Sequence, residues 1–357
     1  MDEKTVVVAM SGGVDSSVAA ALLLDAGYRV IGVTMRLWDG EDGPAISRTC
    51  CSLDSIEDAR RVCQALDIPF YPLNMTMEFR RHVIDYFCQE YQVGRTPNPC
   101  LACNRFVKFS ILLGRARALG ADYLATGHYA RIQLSDGRHQ LLRALDPAKD
   151  QSYVLYTLGQ EELAHLLFPI GVYRKDEVRS LARKWGLAVA QKPDSQDVCF
   201  ITQGDYQCFL ESRVRFAPGP LLDEEGHRIG SHRGLPFYTV GQRRGLGLAL
   251  GRPYYVIGLD QPRNAVVVGP QEALESSALL ATDVTFVSGQ APAGATQVEA
   301  QVRYRSPAMP ATLFPRKDGF RVDFVQPQRA ITPGQAVVFY RGDEVLGGGT
   351  IQAALRP

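Results

Sequence analysis

The first half of the chain alternates short apolar runs with stretches of helical periodicity. The run TVVVAM is continuous and is bounded by Ser-Gly-Gly, which is typical of a strand buried in a parallel sheet. The stretch SIEDARRVCQALD places apolar residues three and four positions apart, as an amphipathic helix does. The pattern predicts strands at 5–10, 28–35, 69–75 and 122–131, and helices at 18–27, 55–67, 77–94 and 106–120.

Repeated strand–helix units predict an α/β domain with a doubly wound parallel sheet, in which ligands bind at the carboxyl ends of the strands. After about residue 205 the helical periodicity thins out, and segments such as QVEAQVRY and GFRVDFV alternate as β-hairpins do. We therefore expect three domains: a catalytic domain at 1–205, a small connecting domain at 206–278 and a C-terminal β-barrel-like domain at 279–357.

The N-terminus indicates a cytoplasmic protein. MDEKTVVVAM contains two acids before the first strand, whereas a signal peptide has a basic segment and then a long apolar run. Apolar runs elsewhere in the sequence are shorter than a membrane span, so we expect no membrane partner. Structural disulfides are rare in the cytoplasm, and the eight cysteines therefore need another explanation.

Three cysteines lie in amphipathic patterns and are expected to be ordinary core residues: Cys63, Cys88 and Cys208. Cys50 and Cys51 are adjacent in a predicted loop, and we expect a structural or incidental role for them. That leaves Cys100 and Cys103, in NPCLACN, and Cys199, in PDSQDVCFI. A C-x-x-C pair can hold a metal, form a redox disulfide, bind an iron–sulfur cluster or carry sulfur, and the motif alone does not choose.

Charge is distributed unevenly along the chain. The net charge is only +1, but arginines outnumber lysines 32 to 7. No acid occurs from Tyr91 to Ala121, and the block 213–252 holds seven arginines. Arginine suits bidentate contacts with phosphate, so these regions are either nucleic-acid surfaces or ordinary solvated faces.

The sequence SGGVDSS, residues 11–17, lies between the first predicted strand and the first predicted helix. Glycines let the backbone approach a ligand, and helix-start amides attract anions. The loop is neither a Walker A motif nor G-x-G-x-x-G. It resembles the pyrophosphate loop of the ATP-pyrophosphatase superfamily, which splits ATP between the α and β phosphates. Asp15, its one acid, could orient amides or serve Mg²⁺.

Together with the upstream SGGVDSS, the motifs NPCLACN and PDSQDVCFI closely resemble those of the bacterial tRNA-specific 2-thiouridylases. Further matches, in the expected order, are TGHYAR at 126–131, KDQSYVLY at 149–156 and YTVGQRRGLG at 238–247. The resemblance covers nearly the whole chain. It implies that the N-terminal domain is adenine nucleotide alpha-hydrolase-like.

The resemblance also implies a reaction, which is ATP-dependent 2-thiolation of the wobble uridine in tRNAs for Lys, Glu and Gln. ATP, with Mg²⁺, would adenylate the 2-carbonyl oxygen, and AMP and pyrophosphate would leave. Cys199 would carry the sulfur as a persulfide, and Cys103 would act as the nucleophile that ends in a disulfide with Cys199. A cysteine desulfurase or a sulfur-relay protein would supply the sulfur.

Three groups of binding residues follow from the same resemblance. Those expected at ATP are Ala9, Met10, Ser11, Gly12, Gly13, Val14, Asp15, Ser16, Met35 and Gly127. Those expected at the target base are Asn98, Pro99 and Cys100. Those expected at the tRNA are His128, Lys149, Asp150, Gln151, Arg303, Tyr304 and Gln335. Without the resemblance, Met35 and His128 fit ordinary structural positions equally well.

Cys100 departs from the family motif, which has an aspartate at this position. That aspartate would lie by the target base as a general acid or base, and a thiol does not inherit the role unchanged. The substitution creates a set of three cysteines, Cys100, Cys103 and Cys199, which could hold a [4Fe–4S] cluster with one open iron. On that hypothesis no persulfide is required. Zinc is disfavoured, because no fourth ligand has convincing spacing.

Two other functions compete with thiolation. An amide-forming ATP pyrophosphatase would share the loop but needs neither the cysteine pair nor an RNA-binding β domain. A non-catalytic RNA-binding or thiol redox protein would not need the intact loop SGGVDSS. Release of AMP with and without tRNA separates the first alternative from thiolation, and ATP binding tests the second.

Overall fold

The computed structural model describes residues 3–38, 53–194, 198–201, 206–248 and 251–355. Cys50 and Cys51 lie outside the described residues, so the expectation for them stays a prediction. The described chain forms three sheets, and helices flank the first. Among the described helices, none combines the length and the apolar character that a membrane span requires.

Five parallel strands form the N-terminal sheet: β1 (Thr5–Ala9), β2 (Arg29–Arg36), β3 (Phe70–Asn74), β4 (Tyr123–Thr126) and β7 (Leu166–Leu167). Their order is β3-β2-β1-β4-β7. Val6 and Val8 on the central strand are fully buried, which explains the continuous apolar run. The strand order reverses between β1 and β4, and a ligand site is expected at such a switch point.

The described helices of this half are α1 (Val14–Asp25), α2 (Leu53–Ala65), α3 (Thr76–Phe79), α4 (Asp85–Gln92), α5 (Pro99–Ala102), α6 (Leu113–Ala118), α7 (Gln160–Leu163) and α8 (Lys175–Lys184). Short 3₁₀ turns lie at Ser152–Leu155, Pro169–Val172 and Ala188–Gln191. Two π-helical segments, Arg80–Ile84 and Cys103–Leu112, join α3 to α4 and α5 to α6. The first three predicted helices are confirmed.

Two predicted elements were wrong in their bounds. The helix expected from residue 106 begins at Pro99, because Asn98 caps it and proline suits the first helical position. The strand expected at 122–131 is two strands in different sheets. After β4 the chain leaves the sheet and forms a hairpin of β5 (Ala130–Ser135) and β6 (Arg138–Arg143).

The connecting region contains α9 (Tyr206–Glu211) and a small sheet of β8 (Gly219–Leu222), β9 (Arg228–His232), β10 (Tyr255–Asp260) and β11 (Ala265–Gly269). The strand order is β10-β11-β8-β9. Single 3₁₀ turns lie at Leu235–Phe237 and Gln271–Leu274. The region is therefore more regular than its Gly, Pro and Arg content suggests.

Six antiparallel strands form the C-terminal barrel: β12 (Glu275–Phe286), β13 (Thr296–Gln301), β14 (Met309–Arg316), β15 (Gly319–Arg329), β16 (Ala336–Arg341) and β17 (Glu344–Leu355). β12 pairs with both β15 and β17, which closes the barrel. Leu313, Val322 and Phe339 are fully buried inside it. The predicted fold class, an α/β domain followed by a small connecting domain and a β-barrel, is confirmed.

Strand pairing and hydrogen bonds hold the barrel against the N-terminal half, in addition to the covalent connection. Leu142 on β6 pairs with Glu344 on β17, so the β5–β6 hairpin extends the barrel sheet. Tyr153 Oη donates to the Ala336 carbonyl at 2.8 Å. These contacts bring barrel residues to the edge of the N-terminal half, where the candidate site lies.

Candidate active site

The loop that follows β1 is held at both ends. The Met10 N–H donates to the Val33 carbonyl at 2.7 Å, and Thr34 Oγ1 donates to the Met10 carbonyl at 2.9 Å. Ser11 N donates to Ser16 Oγ at 3.1 Å, so the loop closes on itself. The expected ATP-binding loop therefore occupies the switch point between β1 and β4.

Two glycines let other backbones pack tightly against this loop. Gly12 has a φ of +69°, and a Cβ there would lie 2.1 Å from the Ser55 carbonyl oxygen. A Cβ on Gly127 would lie 2.6 Å from Ser16 N and 2.7 Å from the Asp15 carbonyl carbon. The structure thus brings Gly127 against the loop, where sequence reasoning expected it, and any side chain at either position would displace backbone.

The start of α1 faces the loop without a side-chain cap. Gly13 occupies the N-cap position in an extended conformation and has no side chain that could accept from the first-turn amides. Ser17 Oγ donates to the Gly13 carbonyl at 2.8 Å, which fixes the turn. First-turn amides and the helix dipole together favour an anion at this point.

Asp15, in the first turn of α1, is engaged by two protein groups. Lys175 Nζ lies 2.8 Å from each carboxylate oxygen of Asp15 and 2.8 Å from Asp194 Oδ1. Tyr129 Oη also donates to Asp15 Oδ1 at 2.8 Å. The Lys175 side chain is only 12% exposed, so its ammonium is shielded between two carboxylates.

Asp194 is surrounded by cations. Lys149 Nζ lies 2.7 Å from Asp194 Oδ2, and Arg179 Nη2 lies 2.9 Å from Oδ1. Burial raises the pKa of Asp194, but the hydrogen bonds from Lys149 and Lys175 outweigh it and bring the pKa to about 2. With Asp15 included, three cations face two carboxylates. That excess of one positive charge suits a phosphate.

A further lysine reaches the loop from the segment before Cys199. Lys192 Nζ donates to the Gly12 carbonyl at 2.9 Å and pairs with Asp58 Oδ2 at 2.7 Å. Sequence reasoning missed Lys175, Lys192 and Asp194. A signal was present for the last two, since they belong to the run KPDSQDVCF that was considered only for its cysteine.

The cysteine pair lies on a helix that begins at the expected target-base residues. Asn98 Oδ1 accepts the N–H of Cys100 at 3.0 Å, and Pro99 occupies the first helical position. Cys100 is exposed, whereas Cys103 is only 8% exposed. Cys103 was expected just before a helix. It lies inside one, because the Asn98 cap starts the helix earlier.

Cys103 and Cys199 contact the same hydrophobic cluster, which includes Phe79 and Phe200. Cys103 is buried in it and Cys199 is half-buried against it. The predicted reaction between these two thiols stays a prediction.

The remaining described cysteines divide between core and surface. Cys63 is buried and Cys88 is half-buried, as predicted. Burial raises the pKa of the Cys63 thiol to about 11. The prediction for Cys208 was wrong, because it is exposed on α9 while Leu210 is the residue that α9 buries.

Tyr304, from the barrel, lies next to the cysteine helix. Its ring centroid is 5.9 Å from that of Tyr153. Burial raises the pKa of the Tyr304 hydroxyl, and Cys100 is close enough to add to the rise. Asn104, which follows Cys103, donates to the Val154 carbonyl at 3.0 Å, so the cysteine helix and Tyr304 contact the same turn at the junction of two domains.

Arg303 and Gln335 converge on the same junction. The Arg303 guanidinium donates to the Ala330 carbonyl. Gln335 Nε2 donates to the Thr96 carbonyl at 2.8 Å, just before the cysteine helix. Both residues are expected at the tRNA, and here both hold protein backbone.

The other expected tRNA residues have protein partners as well. His128 is 8% exposed, and its Nδ1 lies 2.6 Å from Thr126 Oγ1. Asp150 accepts from the N–H of Ala144 at 3.0 Å, and Gln151 Oε1 accepts from the N–H of Tyr129 at 2.9 Å. Their roles at the tRNA stay predictions.

Met35 is half-buried near the end of β2 and is paired in register with Leu73 of β3. That position is at the carboxyl end of the sheet, the same edge as the loop at Ser11 to Ser16. Its expected contact with ATP stays a prediction.

Comparison with known proteins assigns the family. Family models match three consecutive parts of the chain: the tRNA methyl transferase HUP domain at 4–203, the tRNA methyl transferase PRC-barrel domain at 207–270 and the aminomethyltransferase beta-barrel domain at 276–351. The tRNA-specific 2-thiouridylase MnmA of Moorella thermoacetica is 56% identical over 354 residues, which are 97% of this chain and 99% of that protein. The chain belongs to the tRNA-specific 2-thiouridylase family.

Other members of the 2-thiouridylase family are similar over the same length. The tRNA-specific 2-thiouridylase MnmA of a Roseiflexus species is 54% identical and covers 97% of this chain and 98% of its own. The protein of that name from Chloroflexus aurantiacus is 55% identical, with the same two coverages. The loop before α1 and the cysteine helix are the two parts of the chain in which the sequence predicts reactive chemistry.

Proposed function

We propose that this protein thiolates C2 of the wobble uridine in tRNAs for Lys, Glu and Gln. ATP-dependent 2-thiolation of tRNA uridine is the activity of the 2-thiouridylase family, to which the chain belongs. The observation that carries the proposal for the tRNA is the hydrogen bond at 2.8 Å from Gln335 Nε2 to the carbonyl of Thr96, two residues before Asn98. It supports the proposal because a residue expected at the tRNA meets the chain just before the cysteine helix there.

ATP is proposed to bind with its phosphates against the first turn of α1. Lys175 and Lys192 approach the loop from two sides, and each is neutralised by carboxylates in this structure. In the ATP complex, phosphate oxygens would replace these carboxylates as the partners of the two ammonium groups. Transfer of the adenylyl group to the uridine O2 then converts a poor electrophile at C2 into one with AMP as its leaving group.

The sulfur is proposed to travel as a persulfide on Cys199. Its terminal sulfur attacks C2 and displaces AMP, and the Cys103 thiolate then attacks Cys199 Sγ. That attack releases 2-thiouridine and leaves a Cys103–Cys199 disulfide, which a thiol reductant reopens. Alternatively, the Cys103 thiolate first frees hydrosulfide from the persulfide, and hydrosulfide attacks C2. Both routes end in the same disulfide, which requires the Cα atoms of Cys103 and Cys199 to lie within about 7 Å of each other.

The target uridine must leave its stack to reach the cysteines, since its 2-carbonyl is otherwise shielded. We propose that Asn98, Pro99 and Cys100 meet the extruded base. Their position at a helix start supports this, and so does Tyr304, which contacts the same turn as the cysteine helix, because an aromatic side chain can stack on an unstacked base.

Mg²⁺ is proposed to accompany ATP. Carboxylate oxygens suit this ion, and Asp15 and Asp194 are the carboxylates beside the loop. Because Lys175 holds both in this structure, either carboxylate could serve the ion only after Lys175 moves. When bound, Mg²⁺ would neutralise phosphate charge.

A [4Fe–4S] cluster is the alternative to the persulfide. Cys100 and Cys103 are three residues apart on one helix, so their side chains project from the same face. With Cys199 they supply three thiolates, which suits a cluster with one open iron. Such a cluster would carry the sulfide itself.

The sulfur donor is proposed to be a cysteine desulfurase or a sulfur-relay protein, and the compartment the cytoplasm. The domain boundaries 1–205, 206–278 and 279–357 remain part of the proposal. The family models that match residues 4–203, 207–270 and 276–351 support these boundaries.

One series of variants tests the proposal. Cys103→Ser and Cys199→Ser should each abolish thiolation and keep ATP binding. Cys100→Ser decides the sulfur route: partial activity favours the persulfide, whereas joint loss of iron, sulfide and activity in anaerobically purified protein favours the cluster. Cys208→Ser, which changes an exposed cysteine on α9, is the matched control. A fully active Cys199→Ser protein would overturn both routes.

A further inference from the structure

All three polar groups of Thr96 bind parts of the chain that are distant in sequence. Its N–H donates to the Pro333 carbonyl at 2.9 Å, and its carbonyl accepts from Gln335 Nε2 at 2.8 Å. Its Oγ1 donates to Thr239 Oγ1 at 3.2 Å. One residue thus joins the N-terminal half to both the connecting region and the barrel.

Gly334 makes the contact with the barrel unusually close. Its φ is +90°, and a Cβ there would lie 2.9 Å from Thr96 N and 3.0 Å from Thr96 C and O. Any other residue at this position would both strain the turn and push the backbone of Thr96 away. The barrel turn is therefore shaped to receive Thr96.

The barrel turn that holds Thr96 is itself fixed. Arg303 donates to the Ala330 carbonyl, and Thr332 Oγ1 donates to the same carbonyl at 2.9 Å. Gly334 N and the Gln335 carbonyl bind Ile351 of β17 at 2.9 Å and 2.8 Å. The turn is therefore fixed to the barrel, and Thr96 is bound to a rigid part of that domain.

The segment from Thr96 to the cysteine helix is stiff. Its sequence is Thr96-Pro97-Asn98-Pro99, so both prolines have a fixed φ and the residues before them are confined to extended conformations. Asn98 is extended, with φ −109° and ψ 103°, and caps the helix through Cys100 N. The position of Thr96 in the fold therefore determines where the first turn of the cysteine helix lies in space.

We infer that Thr96 is a positioning residue through which Thr239 and Gln335 hold the cysteine helix in its reactive place. The inference rests on the proposed function for its effect on thiolation. Gln335 is also expected at the tRNA, so an RNA that draws Gln335 towards itself alters one of the bonds that place Cys100 and Cys103. RNA bound to the barrel at Gln335 would in this way change the position of the Cys100 and Cys103 thiols.

Removal of single hydroxyls tests the connection. Thr96→Val deletes the hydrogen bond to Thr239 while keeping side-chain shape, and Thr239→Val deletes that bond together with the one to the Tyr91 hydroxyl. Each should lower kcat for thiolation by about 3- to 10-fold with the KM for ATP unchanged. The double variant should be no slower than Thr239→Val, because Thr96→Val then removes no further bond. Thr296→Val removes a remote barrel hydroxyl, which donates to the Gly294 carbonyl at 3.0 Å, and is the control.

A second readout does not depend on thiolation. Gly334→Ala should displace Thr96, and the rate at which iodoacetamide alkylates Cys103 should rise several-fold over that of the wild type, as mapped by mass spectrometry. Unchanged alkylation of Cys103 in Gly334→Ala and unchanged kcat in Thr96→Val would overturn the inference. A fall in melting temperature and kcat without altered alkylation would also overturn it. A wild-type protein that does not thiolate would refute the proposed function alone, because alkylation still reports on Thr96.

Discussion

Lys175 Nζ lies 2.8 Å from both carboxylate oxygens of Asp15, although 160 positions separate the two residues. The same ammonium contacts Asp194 at 2.8 Å. Asp15 belongs to the phosphate loop and Lys175 opens α8, so the bond joins the two sides of the nucleotide site.

The first prediction concerns Lys175. Lys175→Met should raise the Kd for ATP by about 10- to 100-fold, because a charge-assisted hydrogen bond to phosphate is lost and Asp15 is left without its ammonium partner beside the phosphates. Isothermal titration with a non-hydrolysable ATP analogue measures this. Lys184→Met, an exposed change at the end of the same helix, should bind like the wild type. Equal affinities in the two variants would show that Lys175 only neutralises Asp15 and Asp194.

The second prediction concerns Asp15. Asp15→Ala should lower AMP formation at least about 100-fold, because Lys175 and Tyr129 lose the carboxylate that places them at the loop. Binding to tRNA should stay within about twofold of the wild type, since phosphate contacts elsewhere dominate RNA affinity. AMP release in the presence of tRNA and filter binding give the two values. Thiolation at the wild-type rate would refute the assignment of the loop.

The third prediction concerns the arginine block. Arg243 and Arg244 are adjacent and exposed. Their joint reversal to glutamate should weaken tRNA binding and flatten its dependence on salt, because fewer counterions are released. The adjacent exposed pair Arg183 and Lys184, reversed in the same way, is the control. A salt slope that matches the control would mean that Arg243 and Arg244 belong to an ordinary solvated face.

The fourth prediction concerns pH. Burial, and then the ammonium of Lys108, hold the pKa of His128 well below its ordinary value. The folded protein therefore binds fewer protons than the unfolded chain, and the contribution of His128 is fully present above about pH 6.5. It is lost as the pH falls towards the folded pKa. The free energy of unfolding should decrease between pH 7 and 5, by at most about 1.4 kcal/mol per pH unit for this group.

Denaturant unfolding of His128→Gln checks the assignment, since the variant should show a shallower decrease between pH 7 and 5. Some slope should remain, because burial also lowers the pKa of His232. His227→Gln, which changes an exposed histidine with 77% of its side chain accessible, is the control. A His128→Gln slope equal to that of His227→Gln would contradict the prediction.

Local sequence was enough to predict the first sheet and the glycine loop that follows its first strand, whereas the reactive cysteines came from the family resemblance and stay a prediction. A buried strand, a glycine turn and a helix start are properties of neighbouring residues, and SGGVDSS follows β1 as its pattern requires. The start of the cysteine helix was missed, although the Asn98 cap and Pro99 are also local signals. The period of the C-terminal segments predicted strands, but not that β12 would pair with β17 to close a barrel.

The tertiary structure alone decided which distant groups serve the loop and the thiols. Lys175 reaches Asp15 because α8 packs beside α1, and no pattern around either residue encodes that distance. Thr96 meets Thr239 and Gln335 because three domains converge on one turn. Sequence by itself determined which reactive groups and turn residues the chain carries, since these are properties of a few neighbouring positions. Their charge balance and placement depend on long-range packing, which only the folded chain supplies.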